Sequence, residues 1–88
     1  MELLTLIPIL DANLNRETIS TKKDKDICSW TQDTPFTVTI NNKTYTNTTR
    51  ICLIQKQDTI YTYINYNNRY KTSKTKLTDI ETITIGEP

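Results

Sequence analysis

FTVTINNKTYTN, residues 36–47, alternates apolar side chains with threonine on both sides of Asn41-Asn42. Strict alternation is the period of a half-buried strand, and an Asn-Asn pair between two such runs predicts a hairpin with a two-residue turn. Asparagine suits that turn because its short side chain tolerates positive φ, and the spacing expects both central residues to take it. The register then sets Val38 opposite Tyr45 and Thr39 opposite Thr44. Phe36, Val38, Ile40 and Tyr45 collect on one face, and Thr37, Thr39, Thr44 and Thr46 on the other. Apolar in and threonine out is the mark of an antiparallel pair with one face on a core. Phe36 and Tyr45 are therefore expected inside.

The same reading extends towards the C-terminus. TIYTYINY (59–66) and RYKTSKTK (69–76) flank Asn67-Asn68. A second two-residue turn would set Tyr61 opposite Lys74, Tyr63 opposite Thr72 and Asn65 opposite Tyr70. Tyr61, Tyr63, Tyr70 and Lys74 then share a face that Lys76 continues. Ile60, Thr62, Ile64 and Lys71 hold the other, with Tyr66 and Arg69 at the tip. The two isoleucines argue that their face is the inward one. Between the hairpins, RICLIQ (50–55) reads as a short central strand joined to 59–66 by a tight turn at Lys56-Gln57-Asp58. Leu77-Thr78-Asp79-Ile80 reads as one helical turn before a last strand, Thr82–Ile85, with Ile83 and Ile85 on one side.

Upstream the pattern weakens. Residues 3–9 read as a strand interrupted by Pro8, which suits an edge or a bulge. Residues 11–26 read as a polar loop, with one weak helical turn or short strand around Ile19. Within it TKKDKD (21–26) reads as a solvated tip. Trp30 reads as a core or barrel-end residue.

Threonine fills 18 of the 88 positions and glycine one. β-branched threonine and isoleucine favour strands. Six to seven short strands in one domain spanning 1–88 predict an all-β fold, a small antiparallel barrel with at most one helical turn near 77–80. A one-turn helix before the last strand gives an SH3-like layout, with OB-like and Sm-like barrels as competitors. No stretch carries a motif specific enough to name a family.

Charge is unevenly distributed. Residues 43–76 carry seven cations (Lys43, Arg50, Lys56, Arg69, Lys71, Lys74, Lys76) against Asp58 alone, a balance of +6, whereas the remainder carries −5. The same window holds all five tyrosines. Cations track phosphates and rings stack on bases, so this pattern points to a single-stranded nucleic-acid surface. Tyr61, Tyr63 and Tyr70 would stack; Arg69, Lys71, Lys74 and Lys76 would hold phosphates; Lys43 and Arg50 would be more peripheral. The competing reading makes the tyrosines cross-strand packing partners. A third makes them, with Arg69, the anchors of a protein interface, in a module of viral or mobile-element origin. An unguarded edge strand would also allow a homo-oligomer.

Histidine is absent. A nucleophilic Cys28 or Cys52 has no imidazole to activate it, and the carboxylates are scattered, so no catalytic residue and no enzyme is expected. A zinc site would need carboxylates to complete two distant cysteines, so no metal or cofactor is expected either. The cysteines read as half-buried thiols in an intracellular chain, with a disulfide the alternative for an exported one. MELLTLIPIL has an acidic second residue, no basic start and a proline, which does not fit a signal peptide. No apolar run approaches a membrane span. The expected compartment is the cytoplasm, of a host cell if the chain is viral.

Overall fold

The computed structural model describes residues 1–17 and 25–86. The readings placed around Ile19 and at residues 21–24 lie outside the described residues. The elements run α1 (Leu3–Asn13), β1 (Asn15–Glu17), β2 (Lys25–Thr31), β3 (Phe36–Ile40), β4 (Lys43–Thr48), β5 (Arg50–Lys56), β6 (Thr59–Tyr66), β7 (Lys71–Lys76), a 3-10 turn (Leu77–Asp79) and β8 (Ile83–Gly86). Two antiparallel sheets result, one ordered β1-β2-β5-β6-β7 and the other β4-β3-β8. The described residues thus hold eight strands where six to seven are expected, because the segment read as a loop from 11 to 26 contributes β1 and the start of β2.

The hairpin quoted at the outset has the expected register, Val38 with Tyr45 and Thr39 with Thr44. Its turn differs, since only Asn41 takes positive φ, at 55°. Asn41 has a second task that explains why the first turn residue must be asparagine. Its Oδ1 accepts from the Glu81 and Thr82 backbone N–H groups at 2.8 and 3.2 Å, and its Nδ2 donates to the Asp79 carbonyl at 3.1 Å. One side chain therefore fastens the β3–β4 turn to the chain entering β8.

β5 lies at the centre of the larger sheet, as its apolar run implies, and Gln57-Asp58 closes its turn with Gln57 at φ 54°. The β6–β7 turn is longer than expected. Tyr61 pairs with Lys76 and Tyr63 with Lys74, so Asn67–Tyr70 all lie in the connection. Asn67, Asn68 and Arg69 take positive φ there, at 54°, 59° and 76°. The cause is an outside partner: the Asn67 and Asn68 N–H groups donate to the Thr46 and Asn47 carbonyls at 3.0 and 3.1 Å. That bond to β4 holds the chain open past the second asparagine. A register shifted by two preserves the alternation, so side chains of β6 and β7 keep their faces.

α1 replaces the strand expected at 3–9. Leu6, Leu10 and Leu14 recur every fourth residue and are buried, which sequence alternation alone did not distinguish from a short buried strand. Pro8 lies on the opposite, exposed side of the helix, away from the packed leucines. The helix packs against β8 and β1, and Asp11 Oδ1 accepts a 2.9 Å hydrogen bond from Trp30 Nε1 on β2. It covers the opening between the edge strands of the two sheets. A closed barrel is therefore absent: a helix stands on one side of the sandwich where a strand would complete the ring. On the other side β4 and β7 are the edge strands of their sheets, with no ladder between them among the described residues. The core between the sheets holds Leu6, Leu10, Trp30, Phe36, Val38, Ile51, Leu53, Ile64 and Ile80, each fully or almost fully buried. Among the described residues no helix is long and apolar enough to cross a membrane.

Candidate nucleic-acid interface

Alternation along β5 and β6 decides what the outer face of the five-stranded sheet presents. Ile51 and Leu53 on β5, and Thr62 and Ile64 on β6, are buried against the core. Arg50, Cys52, Ile54 and Lys56, with Tyr61, Tyr63 and Asn65, must then point the other way. Strand pairing arranges them in rows. Lys76, Tyr61, Ile54 and Asp26 form one; Lys74, Tyr63, Cys52, Ser29 and Glu17 form the next; Thr72, Asn65 and Arg50 form a third.

The Tyr61 and Tyr63 ring centroids are 6.4 Å apart with planes tilted by 58°. Each ring carries an ammonium group. Lys74 Nζ lies 4.6 Å from the Tyr61 centroid and Lys56 Nζ 5.4 Å from that of Tyr63. Such pairs are worth ~0.5–1 kcal/mol at exposed sites, little enough for a stacking base to displace the cation onto its own phosphate. The β5–β7 part of the face thus combines two rings with Arg50, Lys56, Lys74 and Lys76, and no carboxylate projects from it. Asp26 and Glu17 border it on β2 and β1, and Glu17 Oε2 reaches Arg50 Nη2 at 4.0 Å. Tyr63 differs from Tyr61 in one respect: its hydroxyl oxygen is buried and has no hydrogen-bond partner.

The seven residues singled out from sequence separate into two groups. Tyr61, Tyr63, Lys74 and Lys76 come together on the outer face. Arg69 and Tyr70 occupy the β6–β7 turn, with Tyr70 86% exposed, and Lys71 begins β7 on the opposite alternation. The longer turn removes Tyr70 from the face it was expected to share. Arg69 instead borders a cleft of about 400 Å³, where it and Arg50 meet Glu17 and Asp33. Lys56 is the face residue left out of the expected site, and Arg50, expected at its periphery, belongs to the same face. Their signal was present in RICLIQK, because Ile51 and Leu53 inward places 50 and 56 outward.

The remaining tyrosines pack inside. Tyr45 is 5% exposed, meets Tyr66 edge-on at a centroid distance of 4.9 Å, and its hydroxyl accepts from Ser73 Oγ at 2.9 Å. Phe36 and Trp30 are core residues, as their positions suggest.

Cys28 and Cys52 are both free. Cys28 pairs with Leu53 and Cys52 with Ser29, so the two thiols sit on opposite faces of adjacent strands and no disulfide can join them without turning one strand over. Burial pushes the Cys52 thiol above its usual range; Arg50 opposes this and Asp26 adds to it. A thiol with a raised folded pKa keeps its proton longer than in the unfolded chain. Its contribution to stability is complete below the unfolded pKa and is lost as pH rises towards the folded value. Thiol titration of the native protein should therefore find two unpaired cysteines. Alkylation of Cys52 should rise with pH later than that of an unstructured peptide thiol, and a coincident profile would contradict the burial. Among the described residues no three Cys, Asp or Glu side chains converge as a metal site.

No family model matches the chain, and neither does any curated protein or solved structure.

Proposed function

We propose that this chain is a small non-enzymatic binding module that contacts single-stranded nucleic acid through the outer face of β5–β7. One observation carries the reading: Tyr61 and Tyr63 lie side by side on the outer face, with Lys56, Lys74 and Lys76 around them and Arg50, which meets Glu17 at 4.0 Å, at the margin. Bases stacking on the rings would hand Lys74 and Lys56 to the flanking phosphates. A pleated face suits a splayed single strand better than a duplex, whose bases are already stacked on one another. Arg69, Tyr70 and Lys71, at the tip of the same hairpin, extend the path as a second cationic contact. The SH3-like comparison belongs to the same proposal and rests on the single 3-10 turn before β8.

A second reading, a protein-binding module, is favoured by Tyr70, an exposed aromatic directly beside Arg69. Tyrosine and arginine are the residues enriched where protein interfaces concentrate their energy. Salt separates the two. Each phosphate neutralised on a single strand contributes about −0.7 to the slope of log affinity against log salt, so four cations give roughly −3. Fluorescence anisotropy with labelled single-stranded RNA and DNA and a short duplex should show single strands bound more tightly. Affinity should fall roughly 50-fold between about 50 and 200 mM salt. Flat traces at the lower salt would dismiss the reading.

A further inference from the structure

The sandwich has two openings, and only one is filled. α1 lies across the β1–β8 side, whereas among the described residues β7 pairs only with β6 and β4 only with β3. At one end β4 is held by the backbone bonds from Asn67 and Asn68, and midway by the Ser73–Tyr45 hydrogen bond. At the other end the edges part into a groove of about 450 Å³, bounded by Ile40, Asn42, Lys43 and Tyr45 on one side and Thr75 on the other. No backbone hydrogen bond joins β4 to β7 among the described residues.

β7 is the better template of the two. Its six residues pair with β6 in an unbroken register, whereas β4 carries a register shift against β3 and is distorted at Asn47, whose φ is 51°. A regular edge with a free row of N–H and C=O groups is where an extended chain adds as another strand. The charges restrict the occupant. β7 carries Lys71, Lys74 and Lys76, Lys43 faces it across the groove, and neither strand has an acidic residue. Two copies of β7 pairing with each other would bring three lysines from each into contact, which opposes a homodimer through this edge. An extended segment with alternating carboxylates would instead set them beside Lys74 and Lys76 on the outer face.

We infer that β7 is a strand-addition site for an extended acidic segment of a partner protein. This goes beyond the nucleic-acid reading and does not rest on it, although both ligands recruit Lys74 and Lys76 and should compete.

The probe is a blocked peptide alternating Glu with Val and matched to β7 in length, titrated into the 15N-labelled chain. Amide protons of β7 should gain roughly tenfold or more protection from exchange. Affinity should weaken roughly five- to tenfold from low to physiological salt. A K74E/K76E chain should lose the acidic peptide and bind one alternating Lys with Val, its unperturbed amide spectrum establishing that it is folded. Equal binding of a peptide with every second amide N-methylated would overturn the inference, because attraction without strand pairing needs no N–H groups. Protection at another edge, or dimerisation of the free chain through β7, would overturn it as well. Failure to bind single strands with the peptide result intact would sink only the nucleic-acid reading.

Discussion

Replacing Tyr61 and Tyr63 together by alanine should weaken single-strand binding by ~2–6 kcal/mol, at least roughly 30-fold, because stacking is worth ~1–3 kcal/mol per base. The two rings should not contribute alike. Tyr61 is half-buried, with Lys74 Nζ over its ring, so Tyr61→Ala should cost affinity with little change in stability. Tyr63 ends in a buried hydroxyl without a partner, so its ring is also part of the packing of the sheet. Tyr63→Ala should therefore lower stability as well as affinity. Tyr63→Phe is the informative control, since it keeps the ring and removes a buried polar atom that nothing satisfies. Its stability should be equal or higher, by up to ~1 kcal/mol, with binding retained. The measurement is the anisotropy titration, accompanied by urea unfolding of each variant. An unchanged dissociation constant in the folded double variant would remove these rings from the interface.

That asymmetry was not legible in the sequence, and the reason is physical. Alternation specifies which face a side chain joins, and for β3, β4 and β6 the expected faces are the ones found, because each strand has one face against a core. It does not specify how far along the sheet a ring leans, which depends on neighbours two strands away. The β6–β7 turn shows a related limit. Asn67-Asn68 is a sound hairpin signal taken alone, yet the Thr46 and Asn47 carbonyls capture its N–H groups and lengthen it to four residues. Tyr70 left the expected face for that reason alone. The lysines were less sensitive, since a shift of two residues exchanges one outward position for another.

The N-terminal helix marks a different limit. LLTLIPIL is apolar nearly throughout, so neither period stands out, and Pro8 argued against a helix more strongly than it deserved. Proline costs a helix most where its ring and missing N–H disturb packed backbone. Here it faces solvent, while Leu6, Leu10 and Leu14 make the buried stripe. With the helix went the expectation of a closed barrel, because α1 occupies the side where another strand would have been needed.

Trp30→Ala should therefore be the most damaging single change, at ~3–5 kcal/mol. Its side chain is fully buried, and its Nε1 reaches Asp11 at 2.9 Å, so one residue ties β2 to the helix that seals the sandwich. For a chain of 88 residues, whose total stability lies towards the lower part of ~5–15 kcal/mol, that loss leaves a large unfolded fraction at room temperature. Trp30→Phe keeps much of the volume and removes the bond to Asp11, which retains Arg16 at 3.4 Å, so it should cost only ~1–2 kcal/mol. Urea unfolding followed by far-ultraviolet circular dichroism measures both without needing the tryptophan signal. A loss below ~1 kcal/mol for Trp30→Ala would mean that α1 does not seal the core as described. Binding supplies the complementary check. Trp30 points inward and touches no part of the outer face, so the Trp30→Phe variant should bind single strands as tightly as the parent. A chain that loses stability at Trp30 and affinity at Tyr61 has its fold and its contact surface on opposite sides of the same sheet.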